Sequence, residues 1–446
     1  MPIRVCLIFA LLTATPVWSQ VDTNTTEPAS PIYEEPMLTP PPVSGQTYPT
    51  APTSEARSNY LRYGLDFSTA YSDNVLGGVN ANPVSDVSYS IGPTIALDET
   101  TSTLHAVLTY RPGFTFYQRI SARNEADHNV SVDFEDRLSP HVTFNARDHF
   151  LKSSNILNQS DLAVSGGAQN PNLSVIAPLA DVLSNSGNMG ITYQFGPNGM
   201  IGASGTFTNL HYANPAEVSG LFDSNSQGGS FFYSFRVSKM HYVGATYQYQ
   251  RLVSYPTEGQ NETQTHAILF YYTLYPTSRF SISFFGGPQY SDTVQPPLPP
   301  FQIQLPPARA WTPAAGASLS WRGRLNSMAV SYSHVISGGG GLFGAAVTDS
   351  ASASIQQQFS RSWSGSLAGA YVQNDVLSSA LFGGQNGHTV LGTVSLQKQF
   401  GGHISLQLGY TRLHQNYSNV PVLSSNPDTN REFVSVSYQF SRPLGR

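Results

Sequence analysis

One cysteine, Cys6, occurs in 446 residues, and it lies near the start of the chain. The remainder can therefore form no disulfide, thiolate metal site or cysteine nucleophile. Charge is equally scarce. Asp, Glu, Lys and Arg make up 11% of the chain, less than half of the roughly 25% usual for a soluble domain. The net charge of −5 leaves no basic excess to grip nucleic acid. No apolar run approaches the about 20 residues that cross a bilayer as a helix. The histidines are scattered and form no HExxH, and neither GxSxG nor GxxxxGK[ST] occurs. The chain thus reads as non-enzymatic, with no catalytic, metal-binding or cofactor-binding residues.

Aromatic residues, at 12%, argue against a wholly disordered chain. Arg4, the apolar stretch Val5–Ala14, and Val17 and Ser19 ahead of Gln20 have the layout of a Sec-type signal peptide over 1–19. Residues 20–58 are rich in Pro, Thr and Ser (TEPASPIYEEP, LTPPPVSG) and lack periodicity, which predicts a disordered periplasmic segment. Residues 59–446 form the remaining unit.

From Tyr60 to Phe440 apolar and polar residues alternate with period two. Ala351, Ala353 and Ile355 oppose Ser350, Ser352 and Ser354; Val390, Val394 and Leu396 oppose Thr389, Thr393 and Ser395; Val434, Val436 and Tyr438 oppose Ser435 and Ser437. A soluble sandwich would alternate in the same way. The joints discriminate. Short ones (Glu99–Thr101, Leu138–Pro140, Gly196–Gly199, Ser238–Met240, Pro276–Ser278, Arg322–Arg324, Ser360–Ser362, Gly401–Gly402) alternate with long polar segments, of which 153–186 is the longest. Tight turns on one rim and long loops on the other are the layout of an outer-membrane barrel. The strands run to about 10–14 residues, against about 5–6 in soluble sheets. The expected fold is all-β, a transmembrane antiparallel up-and-down barrel of about 18 strands.

Aromatics recur beside the short turns: Phe195, Tyr242, Tyr275, Phe280, Trp321, Phe359, Trp363, Phe400 and Phe440. They predict a girdle at one lipid interface. Tyr71, Tyr117, Phe150, Tyr212, Tyr255, Tyr290 and Tyr371 predict the opposite one.

The closing strand, Glu432-Phe433-Val434-Ser435-Val436-Ser437-Tyr438-Gln439-Phe440, resembles the terminal signal read by the outer-membrane barrel assembly machinery, although six residues follow its aromatic end. The opening strand and loop, Tyr63-Gly64-Leu65 through Tyr71-Ser72-Asp73-Asn74-Val75, resemble the start of the β-barrel porin 2 family, some members of which accompany exopolysaccharide export. The resemblance covers the chain from about residue 60 onward. It implies an outer-membrane channel or an export accessory, and no catalytic residues.

The polar face predicts a wet lumen. Alternation sets Asp133, Glu135 and Arg137 opposite Val130, Val132 and Phe134, and sets Arg147 opposite Phe144 and Ala146. Arg111 and Arg236 read as inward too, whereas Arg251 falls in a register that alternation does not fix. Such charges either set selectivity or hold the wall by hydrogen bonds. The segment 153–186, carrying Asp161, Asp181 and a short helical turn at Ile156–Val164, is the candidate constriction loop. The loop Gln295–Pro307 reads as stiff polyproline, and Gly338–Gly341 as a flexible tip. The expected location is the outer membrane, with lipid and the assembly machinery as partners. The expected function is passive diffusion of small hydrophilic solutes, or alternatively an accessory role that engages polysaccharide.

Overall fold

Alternating sequences of this length bury one face only if their strands pair all the way round. In the computed structural model they do. The described residues are 59–76, 82–153, 181–213, 221–256, 259–277, 279–295, 306–339, 341, 343–377, 386–418 and 428–443. The predicted signal peptide, the Pro-rich segment, the predicted turn at Ile156–Val164 and Asp161 lie outside them, as does most of the Gln295–Pro307 loop.

The strands in chain order are β1 Tyr60–Ser72, β2 Asp86–Thr100, β3 Leu104–Tyr117, β4 Glu125–Ser139, β5 Val142–Ser153 and β6 Val182–Phe195. Then come β7 Gly199–Tyr212, β8 Asp223–Arg236, β9 His241–Tyr255, β10 Asn261–Thr277, β11 Phe280–Val294 and β12 Ala308–Arg322. β13 Asn326–Gly339, β14 Phe343–Gln358, β15 Trp363–Val376, β16 Asn386–Phe400, β17 Ile404–Tyr417 and β18 Asp428–Pro443 complete the wall. They form one 18-stranded sheet in which each strand pairs with its neighbours in sequence. β1 pairs antiparallel with β18 from Tyr60↔Pro443 to Ser72↔Arg431, which closes the barrel. β18 runs past Phe440, and Ser441, Arg442 and Pro443 still pair with β1.

The short connections need little sequence. At the β16–β17 turn Gly401 takes φ +63°, a left-handed value that a side chain would resist. The other rim carries the long connections. β6 begins at Val182, so the predicted loop 153–186 is shorter than expected: Val182–Ser186 pair with β5 as strand.

One face of nearly every strand carries exposed large apolar side chains. Tyr63, Leu65 and Phe67 on β1 stand beside Ile95 and Ile91 on β2, and Val394 on β16 stands beside Tyr410 on β17. This is the outer face, and it forms a continuous apolar belt. Phe195, Phe235, Trp321, Trp363, Phe400 and Phe440 edge the belt near the short-turn rim. There Lys398 lies 5.1 Å from the ring centre of Trp363 and 4.8 Å from that of Phe400, its stem along the belt and its charge at the edge.

Four predicted girdle residues face inward instead. Tyr242 is buried against Met200 and Tyr275, and Tyr117 and Tyr212 are buried on the inner face at the long-loop end. Strand parity decides the face, and these rings fall on the inner parity, where they fill interior volume rather than meet lipid.

Candidate functional site

The inner face is the candidate site. Alternation places small hydroxyl residues there, and the ladder brings them into pairs. Ser204 and Ser230, Ser331 and Ser352, and Ser366 and Ser395 are each 2.7 Å apart, and Ser333 and Ser350 are 2.6 Å apart. Each such cross-strand pair contributes about 0.2–1 kcal/mol and leaves lone pairs free for water.

Charge is concentrated on one arc of this wall. Asp66 on β1, Asp86 and Asp98 on β2, Glu125, Asp127, Asp133 and Glu135 on β4 share the inner parity with Arg62, Arg111 and Arg147. On β18 Arg431 is buried, with its guanidinium 5.2 Å from the ring centre of Phe433. Arg236 and Arg322 fall near the short-turn rim, at the ends of β8 and β12. The inner faces of β9, β10, β11 and β13–β17 present hydroxyl, amide and apolar side chains instead. Carboxylates outnumber guanidinium groups on the charged arc.

The charges are tied to one another. Arg147 Nε lies 3.2 Å from both carboxylate oxygens of Asp133, its directly opposed partner. His149 and Asn129 bond at 3.1 Å one step further along. Arg62 Nη2 donates to Asp98 Oδ2 at 3.2 Å, and His105 Nε2 lies 3.7 Å from Asp98 Oδ1. Asp86 serves the backbone, accepting from the N–H groups of Val87, Arg119 and Ile120.

Of the sequence-predicted residues, Arg111, Asp133, Glu135 and Arg147 lie on this arc, with Glu135 opposite Asn145 and Arg111 opposite Asn129. Arg137 is exposed at the register shift that ends β4, where its N–H donates to Thr103 O. Arg236 stands apart from the arc, donating from Nε to Asn198 Oδ1 at 3.1 Å. Asp181 caps β6, its carbonyl accepting the Ala213 N–H at 2.9 Å. Arg251 falls on the outer face, paired with Glu262 through two contacts of 2.8 Å. Sequence reasoning did not single out Arg62, Asp98, His105 or Arg431. The signal available for them was the period-two parity, which sets each among polar neighbours.

A constriction comes from the wall itself. The β12–β13 ladder runs only from Arg322↔Ser327 to Ala315↔His334. Beyond that point β12 continues against β11 as far as Ala308, and β13 continues against β14 as far as Gly339. The outer edge of β13 parts from β12 and turns into the interior, together with the end of β14, which stays paired with β15 as far as Ala346↔Val376. Ile336 and Ala345 are buried with Leu252 of β9, and Val347 packs against them. Val335 packs against a cluster of inner-face residues on β10–β12: Ala267, Leu269, Tyr271, Phe285 and Ala314. The Ile336 N–H, without a β12 carbonyl to bond, donates to Gln289 Oε1 at 3.2 Å. At the tip, the Phe222 N–H donates to Gly341 O at 2.8 Å, and Gly341 takes φ +87°. Gly341 lies against the Tyr212 ring, leaving no room there for a Cβ. The predicted flexible tip is therefore docked. Glycine reads as freedom in sequence, but here it permits close approach. Leu269, an inner-wall residue, is left 1% exposed, so this sector of the lumen is dry.

Among the described residues no group of three or more His, Asp or Glu side chains could hold a metal ion. No protein-family model matches the chain, and no curated protein matches it. Solved structures similar to it include the outer membrane protein OpdK from Pseudomonas aeruginosa, at 10% identity and TM-score 0.39, covering 86% of this chain and 99% of that one. OccAB4 from Acinetobacter baumannii is similar at 8% identity and TM-score 0.39, with the same coverage. OccK2 (OpdF) from Pseudomonas aeruginosa in complex with glucuronate is similar at 10% identity and TM-score 0.40, covering 85% and 98%. With identities this low, the functional reading rests on the chain's own geometry.

Proposed function

We propose that the chain is an outer-membrane channel through which small hydrophilic solutes diffuse passively. The observation that carries this reading is the sorting of the two faces of a closed wall. Apolar side chains stand outside, while hydroxyl pairs and an acid-rich arc stand inside. A charge on the lipid face near the midplane would cost about 2–4 kcal/mol as Arg, so such sorting fits a membrane and has no purpose in water. With both closing strands ending at the short-turn rim, that rim faces the periplasm and the long loops face outward. The excess of inner carboxylates favours cations over anions. The closing strand β18, with its aromatic Phe440, is the segment offered to the assembly machinery.

Reconstitution into a planar bilayer tests the reading. Discrete ohmic conductance steps with a cation-selective reversal potential are expected. The exopolysaccharide-accessory reading, which the likeness to the β-barrel porin 2 family raises, predicts polymer binding without conductance, so the same measurement separates the two.

A further inference from the structure

The outer half of the β13–β14 hairpin has the pattern of a wall segment but is stored inside the barrel, and we propose that it is a gate whose open position completes the β12–β13 ladder. The proposal rests on the channel reading. Continuing the pairing of Ala315↔His334 in the same register would set Pro313 opposite Ile336, Thr312 opposite Ser337 and Trp311 opposite Gly338. In that arrangement Ile336, Ala345 and Val347 would share the outer parity with Trp311, which is 72% exposed. They would extend the apolar belt across the seam. In the structure the same three side chains instead pack on Leu252, against the inner wall. One apolar face thus fits two dry places, lipid outside or β9 inside, and the hydrophobic effect alone does not choose between them.

The β13 edge is incompletely bonded in both positions, while β14 keeps its ladder with β15 as far as Ala346↔Val376 and forms the hinge side of the gate. Inside, Ile336 N–H relies on one side-chain acceptor, Gln289, and the tip on one backbone bond from Phe222. In the wall, Pro313 has no N–H to give the ladder. Release would expose the inner face of β10, where Thr263, Thr265, Tyr271 and Thr273 carry hydroxyls able to meet water alongside Leu269. The docked hairpin fills this sector, so its departure widens the passage.

Engineered disulfides test the gate in the full chain, on a Cys6→Ser background, in planar bilayers. A Cβ on Gly344 would lie 3.3 Å from Ser254 Oγ once the Asn261 amide, 2.5 Å away, turns aside, so Ser254→Cys with Gly344→Cys can tie the hairpin inside. Thr312→Cys with Ser337→Cys can tie it into the wall. Oxidising the first pair is expected to cut conductance about tenfold or more, reversibly with reductant, and oxidising the second to hold the highest conductance level. A first bridge that forms, by gel mobility, while conductance stays unchanged overturns the gate. So does a second pair that never bridges in a conducting chain. Failure of the parent and both variants to conduct under any redox condition overturns the channel reading itself.

Discussion

Arg147 and Asp133 face each other directly across the β4–β5 ladder, with Arg147 Nε held 3.2 Å from both carboxylate oxygens. Each side chain is about half exposed to the lumen, so the pair bears on passing ions more than on stability. Arg147→Ala should leave Asp133 uncompensated and raise the cation-to-anion permeability ratio by roughly twofold, while Asp133→Asn should lower it by a similar factor. Reversal potentials in a KCl gradient read both. Equal shifts of the same sign would show that the pair does not act through its charge.

Asp98 poses the opposite balance. It is buried, with Arg62 as its hydrogen-bonded cation. Arg62→Ala strands a carboxylate, and since Arg62 is itself about one-third exposed, the expected loss is about 1–3 kcal/mol of barrel stability. Arg62→Ala with Asp98→Ala should cost less than Arg62→Ala alone, because the double change removes the stranded charge. Urea unfolding in lipid vesicles measures the difference.

Leu408 and Gln407 are adjacent on β17 and stand on opposite faces. Leu408→Arg should destabilise the barrel by about 2–4 kcal/mol, with Gln407→Arg nearly neutral. A lower temperature for the unfolding shift on gels, seen only for the first, is the expected result.

Ile336 separates packing from pairing. Its side chain is buried with Leu252, and truncation to Ala should weaken docking of the hairpin by about 2–5 kcal/mol, the usual range for a buried aliphatic side chain. Limited proteolysis within 335–348 should then speed up, with the rest of the barrel remaining resistant.

Most of the wall was legible because a membrane barrel repeats one rule on every strand. Val390, Val394 and Leu396 lie on the outer face as their alternation says, and the alternation of short and long joints sets the strand order. Asp133 and Arg147 could be placed on the inner face from parity alone, whereas their direct opposition depends on register. What escaped was anything that parity does not encode. Tyr117, Tyr212, Tyr242 and Tyr275 look like girdle residues by position, yet one step of register turns each ring inward. The tucked hairpin was invisible for a related reason: Ile336 and Val347 carry the same pattern whether they meet lipid or Leu252. Pro313 has no donor to give that ladder, but Pro93, Pro112 and Pro288 also lie in mid-strand, so proline alone did not mark the seam.

The bond between the first strand and the last has a cost in time. Until β18 has emerged, β1 has no partner on that side, and every shorter product exposes two raw strand edges to its neighbours. The chain must therefore be kept apart from its own copies until β18 has been made, and loss of even the closing strand should yield aggregates rather than a smaller pore.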